Sequence, residues 1–473
     1  MSPTRVTQSS NMFGKRSLGK KVEHKKYGKG RVIDSRYLGY EILIEFENGL
    51  RRWVKFYEVK VVDEIVRSQS ISLSPQTTLP STQRTTPTLQ FETQKMEAKK
   101  IIERLRFGIP PCNHLEEFTF GREKEIKEIK NWLSNPNIGS LIVEGEYGSG
   151  KTHFLEYVYE LAIKNSWAVS FLEVDPQEIS FYKPRRVYEE IIRSFKFKKG
   201  DTLCDFREFL RSVANSDVNL DIVENCQYLY NALREIREGN DTEELYEWIE
   251  GREQREYWKE MKLPASSTAM NIYCNIISGI GWATRKVLGL NGFLILFDEC
   301  ENIDKKLYSY YQQKKVQKNV EAFILISNND KRLLTEDLVK SGNAWCGEHT
   351  GLPYCKTKVL HGDYPPYLSY SPCYVKTLFA FSPFSFPGSF SEVQHIQLSK
   401  VTDEKTLKEI LGKIFTTYKQ AYNTQLYEAV LSEIFNHLPK DDLRLFIKGA
   451  VEALDLLRCY PNEKLEILLR RGE

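Results

Sequence analysis

Leu141-Ile142-Val143-Glu144-Gly145-Glu146-Tyr147-Gly148-Ser149-Gly150-Lys151-Thr152-His153-Phe154-Leu155 is the stretch on which the reading of this chain turns. Gly145–Thr152 fits G-x-x-x-x-G-K-[ST] in full, and its surroundings matter more than the string. An apolar run leads in, and a helical pattern over 153–163 leads out with Phe154, Leu155, Val158 and Leu161 on one face. Glycines in such a loop let backbone N–H groups curl around phosphate oxygens, while the helix N-terminus adds its dipole. Lys151 is expected on the β- and γ-phosphates, and the Thr152 hydroxyl on Mg²⁺. Gly145, Glu146, Tyr147, Gly148, Ser149, Gly150, Lys151, Thr152 and His153 thus form the expected contact set for a nucleotide. His153 fits the first helical turn better than it fits a catalytic base.

Working outward, Phe293-Leu294-Ile295-Leu296-Phe297-Asp298-Glu299 is an apolar run ending in two carboxylates. A strand apolar on both faces suits the centre of a parallel sheet covered by helices. Asp298 at its end is expected in the Mg²⁺ shell, with Glu299 polarising the attacking water. Glu301 follows two residues on, and Cys300 reads as packing. Strands at 140–143, 168–174, 293–297 and 375–382 alternate with helical stretches, which predicts an α/β core with a parallel sheet. A charged, mostly helical stretch at 198–265 reads as an insertion. Amphipathic helices are expected at 407–418, 427–438 and 443–457.

Two segments compete to supply a polar side chain beside the acidic strand, near the γ-phosphate. Residues 323–329 end in Ser327-Asn328-Asn329, but Val316, Val320, Phe323, Ile324 and Ser327 fall on one helical face. Residues 374–382 form a β-type run stopped by Ser382-Pro383. Ser382 is favoured over Asn328. Asp441-Asp442-Leu443-Arg444 opens a C-terminal helix, from which Arg444 could reach a γ-phosphate.

The 473 residues are 41% apolar and 28% charged, an ordinary globular balance with enough material for a sizeable core. A net charge of +3 names no partner, yet residues 1–63 hold 14 Lys/Arg against 7 Asp/Glu, a local +7. Residues 1–18 read as a basic arm and 19–64 as a small barrel of short strands, with Asn48-Gly49 as a hairpin turn. Residues 65–95, rich in Ser, Thr, Gln and Pro, read as a flexible tether. The expected body is an ATPase core over 96–395 and a helical lid over 396–473. An odd nine cysteines, no apolar leader over 1–20 and no apolar run of membrane-spanning length point to a reduced, cytoplasmic protein with no membrane partner. Cys346, His349, Cys355 and His361 place four soft ligands within sixteen residues, but their spacing matches no zinc finger, and isolated thiols and surface histidines are the preferred reading.

With these residues placed, 96–460 resembles the BREX-system ATP-binding proteins, an ORC/Cdc6-like branch of AAA+ ATPases from phage-defence clusters. Leu105-Arg106-Phe107-Gly108-Ile109-Pro110, Phe120-Gly121-Arg122-Glu123, the loop with His153-Phe154-Leu155, residues 276–285 and 293–301, Phe379-Ala380-Phe381-Ser382-Pro383 and Arg444-Leu445-Phe446-Ile447-Lys448 carry the likeness. It implies ATP and Mg²⁺ as cofactors, Arg122 at the adenine pocket and Arg444 as a lid arginine. It also implies a homo-oligomer working with a helicase or other defence proteins. The chain departs from the family at Leu443, where proline is usual, and in the 198–265 insertion. Val22-Glu23-His24, Tyr27-Gly28, Gly30 and Val32 are similar to Tudor-like modules of UvrD-type helicases. Lys20, Lys21, Lys25, Lys26, Lys29 and Arg31 are then candidates for DNA phosphates. Two functions follow: an ATP-hydrolysing motor or switch beside DNA, and a STAND-like nucleotide-gated scaffold. A kinase is disfavoured, because Glu299 suits water activation.

Overall fold

The computed structural model describes residues 21–24, 27–36, 41–47, 49–55, 59–61, 87–111, 114–175, 180–220, 226–252, 263–303, 308–356, 371–383 and 393–470. They fall into two compact units, one of residues 119–401 and one of residues 1–118 with 402–473.

In the second of these, β1 (Lys21–His24), β2 (Gly28–Arg36), β3 (Glu41–Phe46), β4 (Arg51–Lys55) and β5 (Val59–Val61) form an antiparallel sheet in the order β4-β3-β2-β1-β5. Val22, Val32, Ile44, Phe46 and Val54 alternate inward and make its core. Gly49 takes a φ of +79°, and Phe46 and Leu50 close the β3–β4 hairpin. The expected turn residue Asn48 lies outside the described residues, as do the arm and residues 62–86.

Helix α1 (Pro87–Arg106) begins inside the segment expected to be a tether. Proline is tolerated in a first helical turn, and Ala98, Ile101, Ile102 and Leu105 then make a buried stripe. The short polar run hid that start, because its apolar face lies further along.

The 119–401 unit holds the parallel sheet. Its elements are α2 (Glu123–Ser134), β6 (Ser140–Gly145), α3 (Lys151–Lys164), β7 (Ala168–Glu173), α4 (Pro184–Ser194), β8 (Phe197–Lys199), β9 (Thr202–Cys204), α5 (Phe206–Ala214), α6 (Gln227–Arg237), α7 (Glu243–Ile249), α8 (Met270–Lys286), β10 (Phe293–Asp298), α9 (Tyr310–Ser327), β11 (Leu338–Ser341), β12 (Ala344–Gly347), β13 (Pro353–Tyr354), β14 (Val375–Phe381) and β15 (Gln394–Leu398). Strands β15-β6-β14-β10-β7 form one sheet, parallel throughout. The α/β class and parallel sheet expected from sequence are therefore present. Every residue of β10 and β14 is buried, Lys376 and Thr377 of β14 included, as central strands covered on both faces require.

Register sets the site. Phe381 pairs with Glu144 and Phe297 with Phe379, so the carboxyl ends of β6, β14 and β10 finish side by side. Ligands of open α/β sheets bind outside that edge. At the opposite edge, the buried ammonium of Lys376 donates to the carbonyls of Trp132 at 3.0 Å and Asn135 at 2.7 Å. It thereby closes the end of α2, and burial pushes its pKa down to about 8.

The 198–265 stretch carries helices α5, α6 and α7. It opens on the β8–β9 hairpin, and Phe206, Phe209, Leu210, Leu229 and Ile249 belong to the same core as β7 and β10. Charged faces on its helices conceal an apolar stripe that needs the sheet to cover it.

Helices α10 (Glu404–Tyr422), α11 (Val430–His437), α12 (Leu443–Cys459) and α13 (Leu465–Arg470) complete the other unit. They contain the expected amphipathic stretches, the second of them shorter than read. Helix α1 packs on α10 and α12, with an Arg106–Asp455 ion pair and a Tyr422 hydroxyl donating to Glu103 at 2.9 Å. Residues 96–118, expected in the ATPase core, thus fold with the C-terminal helices. Only the tertiary partner of α1's stripe decides this, and periodicity cannot name it.

Candidate nucleotide site

Gly145 ends β6, and the loop turns through Gly148 at φ +80° and Gly150 at φ +88° into α3. A Cβ at Gly145 would lie 2.4 Å from Ser149 Oγ, so a side chain there would close the turn. Around Gly148 and Gly150 nothing lies within 4 Å of such a Cβ, which leaves the cradle open. Glu146 pairs with Lys400 at 3.3 Å, and Tyr147 stands 87% exposed at the tip.

Lys151 is buried, and its ammonium collects oxygens. It donates to the Gly145 carbonyl at 2.8 Å, the Glu146 carbonyl at 3.4 Å and Ser382 Oγ at 3.3 Å. Glu301 Oε1 lies 4.0 Å away and accepts the Ser382 hydroxyl at 3.0 Å. Ser382 follows β14, level with the start of the loop. Asn328 sits at the other end of the sheet. There its Oδ1 accepts the N–H groups of Gly139 at 2.9 Å and Ser140 at 3.0 Å. Of the two polar candidates, the structure brings Ser382 to Lys151 and leaves Asn328 as a helix-end clasp. Helix periodicity at Val316–Ser327 already carried that distinction.

Asp298 is buried and hydrogen-bonded to Thr152. Burial pushes its pKa up to about 6; the Thr152 hydroxyl and the Glu299 N–H oppose this, while Glu299 and Glu301 add to it. Glu299 has a φ of +53° and an exposed side chain, whose Oε2 accepts Asn302 Nδ2 at 3.2 Å. Asn302 also donates to the Val174 carbonyl at 2.9 Å, so it ties Glu299 to the end of β7.

Arg122 is buried with its guanidinium on the carbonyls of Ser149 and Ser399, both at 2.7 Å, and on Glu125 at 3.1 Å. It clasps the phosphate loop to the segment after β15. His153 bonds Thr119 Oγ1 at 2.9 Å, and burial with the nearby Arg122 charge pushes its pKa down to about 4. A neutral imidazole in that position is no proton store at pH 7. Arg444 belongs to the other compact unit, where its side chain lies over Gly108: a Cβ there would be 2.6 Å from Arg444 Cγ. Two quoted motifs, 105–110 and 444–448, thus meet. Sequence reasoning gave no role to Glu301 or Asn302; their only signal was one helical turn of spacing after Asp298.

The residues fit a triphosphate with a divalent ion. The cradle is open, an ammonium stands at its mouth, and a buried carboxylate bonded to the loop threonine lies beside it. Two buried oxygens, Ser149 Oγ and Glu301 Oε2, make no hydrogen bond. Leaving such groups unbonded is costly. No three His, Cys, Asp or Glu among the described residues could hold a metal between them, and His361 lies outside those residues. Cys346 donates instead to the Val339 carbonyl. No helix among the described residues is long and apolar enough to cross a membrane.

Residues 93–210 match the family described as "BREX system ATP-binding protein BrxC/D". The match spans α1 through the phosphate loop and into α5, a shorter extent than the resemblance read over 96–460. This part of the chain is similar to ATP-binding proteins of BREX systems. Among solved structures, AMPPCP-bound DnaA from Aquifex aeolicus is 12% identical, covering 76% of this chain and 68% of that chain at a TM-score of 0.31. So distant a likeness adds no argument. No curated protein matches.

Proposed function

We propose that this protein binds ATP with Mg²⁺ and hydrolyses it, as an AAA+-like motor or switch of a BREX-type defence complex. The observation that carries the reading is the convergence of Lys151, Ser382 and the Thr152–Asp298 pair at the carboxyl ends of three adjacent strands. Backbone N–H groups of 148–152 cradle the phosphates. Thr152 and Asp298 would hold the metal, which when bound would neutralise phosphate charge. Glu299 swings from Asn302 to take a proton from the attacking water. Ser382 reads the γ-phosphate, Arg122 shapes the loop and the adenine side, and Arg444 serves as the lid arginine.

The antiparallel N-terminal sheet is a Tudor/SH3-like module in this reading, and its Lys21, Lys29 and Arg31 meet DNA phosphates. The chain works as a cytoplasmic homo-oligomer with a helicase or other defence proteins. The test is phosphate release from ATP by the full chain, with and without single- and double-stranded DNA. Stimulation by DNA is expected. The Lys21→Glu, Lys29→Glu, Arg31→Glu variant should lose it, with the log–log salt slope of binding falling by about one per contact removed. Rates indifferent to DNA, with ATP-driven oligomerisation, would favour the nucleotide-gated scaffold instead.

A further inference from the structure

We infer that Glu301 is a positioning residue that fixes the direction of a Lys151–Ser382–Glu301 hydrogen-bond chain and competes with phosphate for Lys151. This inference rests on the ATP-binding reading above and deepens it.

The chain has one possible sense. An ammonium only donates and a carboxylate only accepts. Lys151 Nζ donates to Ser382 Oγ at 3.3 Å, so the Ser382 proton goes to Glu301 Oε1 at 3.0 Å. Glu301 therefore turns the hydroxyl lone pairs toward Lys151 and holds the ammonium at the mouth of the loop. Removing that acceptor breaks the chain at its Glu301 end. Its charge has a second effect. Oε1 stands 4.0 Å from the ammonium, and a side chain only 24% exposed is weakly screened. An arriving phosphate must draw Lys151 from a carboxylate and then face that carboxylate across the same pocket. Oε2 is buried and makes no hydrogen bond.

Glu299 lacks this geometry. Its exposed carboxylate is bonded to Asn302, on the far side of the 3₁₀ turn that carries Glu301. The two acids thus divide their work, Glu299 with water and Glu301 with the lysine.

Four variants separate the effects: Glu301→Ala, Glu301→Gln, Ser382→Ala, and Glu301→Ala combined with Ser382→Ala. Gln keeps an acceptor for Ser382 and removes the charge. Steady-state kcat, equilibrium Kd for a fluorescent ATP analogue and thermal midpoint are measured on the full chain. Glu301→Ala should lower kcat about tenfold or more, since misplaced groups lose rate steeply. Glu301→Gln should recover it to within about threefold of the parent, and the double variant should be no slower than the worse single one. Both Glu301 variants should bind ATP about 3–10-fold tighter, because a like charge beside the phosphates is gone. A Gln variant as slow as Ala, multiplicative losses in the double variant, or unchanged or weaker ATP binding would each overturn the inference. If the parent binds ATP but does not hydrolyse it, the hydrolysis reading fails while the affinity comparison still decides the role of Glu301. If Glu301→Ala does not fold, the isosteric Gln variant carries the affinity test alone.

Discussion

Glu299→Gln is expected to leave ATP affinity within about threefold of the parent while lowering kcat about 10²–10⁴-fold, the range lost with a general base. The amide fills the same space and still accepts from Asn302, so the turn after β10 should keep its shape. The loss should therefore sit in kcat and not in binding, as expected when an interaction made only in the transition state is removed. Single-turnover hydrolysis alongside equilibrium titration checks both. Hydrolysis at the parental rate would remove Glu299 from the reaction.

Asp298→Asn should have two opposed consequences. Mg²⁺-dependent hydrolysis should fall at least about 10²-fold, because a neutral amide oxygen holds Mg²⁺ more weakly than a carboxylate. Nucleotide-free protein should instead become more stable at pH 7–8. The sign follows from the pKa of about 6, raised by burial above the ordinary value of 3.8. The fold holds the proton more tightly than the unfolded chain, so its stability falls as pH rises from about 4 to about 6 and stays lower above that. The amide of the variant would carry no charge to bury. Melting curves in the absence of metal should show a gain of a few degrees at pH 7.5 that shrinks toward pH 4. A variant less stable than the parent at pH 7.5 would show that the Asp298 charge is compensated by its neighbours.

Much of this site was legible in the sequence alone. The phosphate loop is local in sequence, so its glycines, lysine and threonine could be read from one octapeptide and its flanks. The unbroken apolar run Phe293–Phe297 disclosed one strand of the sheet centre, and Pro383 marked where β14 stops. What escaped were relations between distant segments. Glu301 owes its place to the register of β10 and β14, and nothing at 299–303 announces contact with residue 382. Arg122 was placed by likeness at the adenine side, whereas its visible bonds run to the Ser149 and Ser399 carbonyls. Backbone acceptors leave no trace in a sequence. The same holds for α1: its stripe says that something covers Ile101 and Leu105, but only folding names α10 and α12.

The central claim is that Gly145–Thr152, completed by Asp298 and Ser382, is a nucleotide site. Equilibrium titration of the full chain with a fluorescent ATP analogue in Mg²⁺, parent against Lys151→Ala, tests it most directly. Saturable binding by the parent, weakened about 10²-fold or more in Lys151→Ala at an unchanged melting temperature, is the expected result. No saturable binding by the parent, or equal binding by the variant, would contradict it.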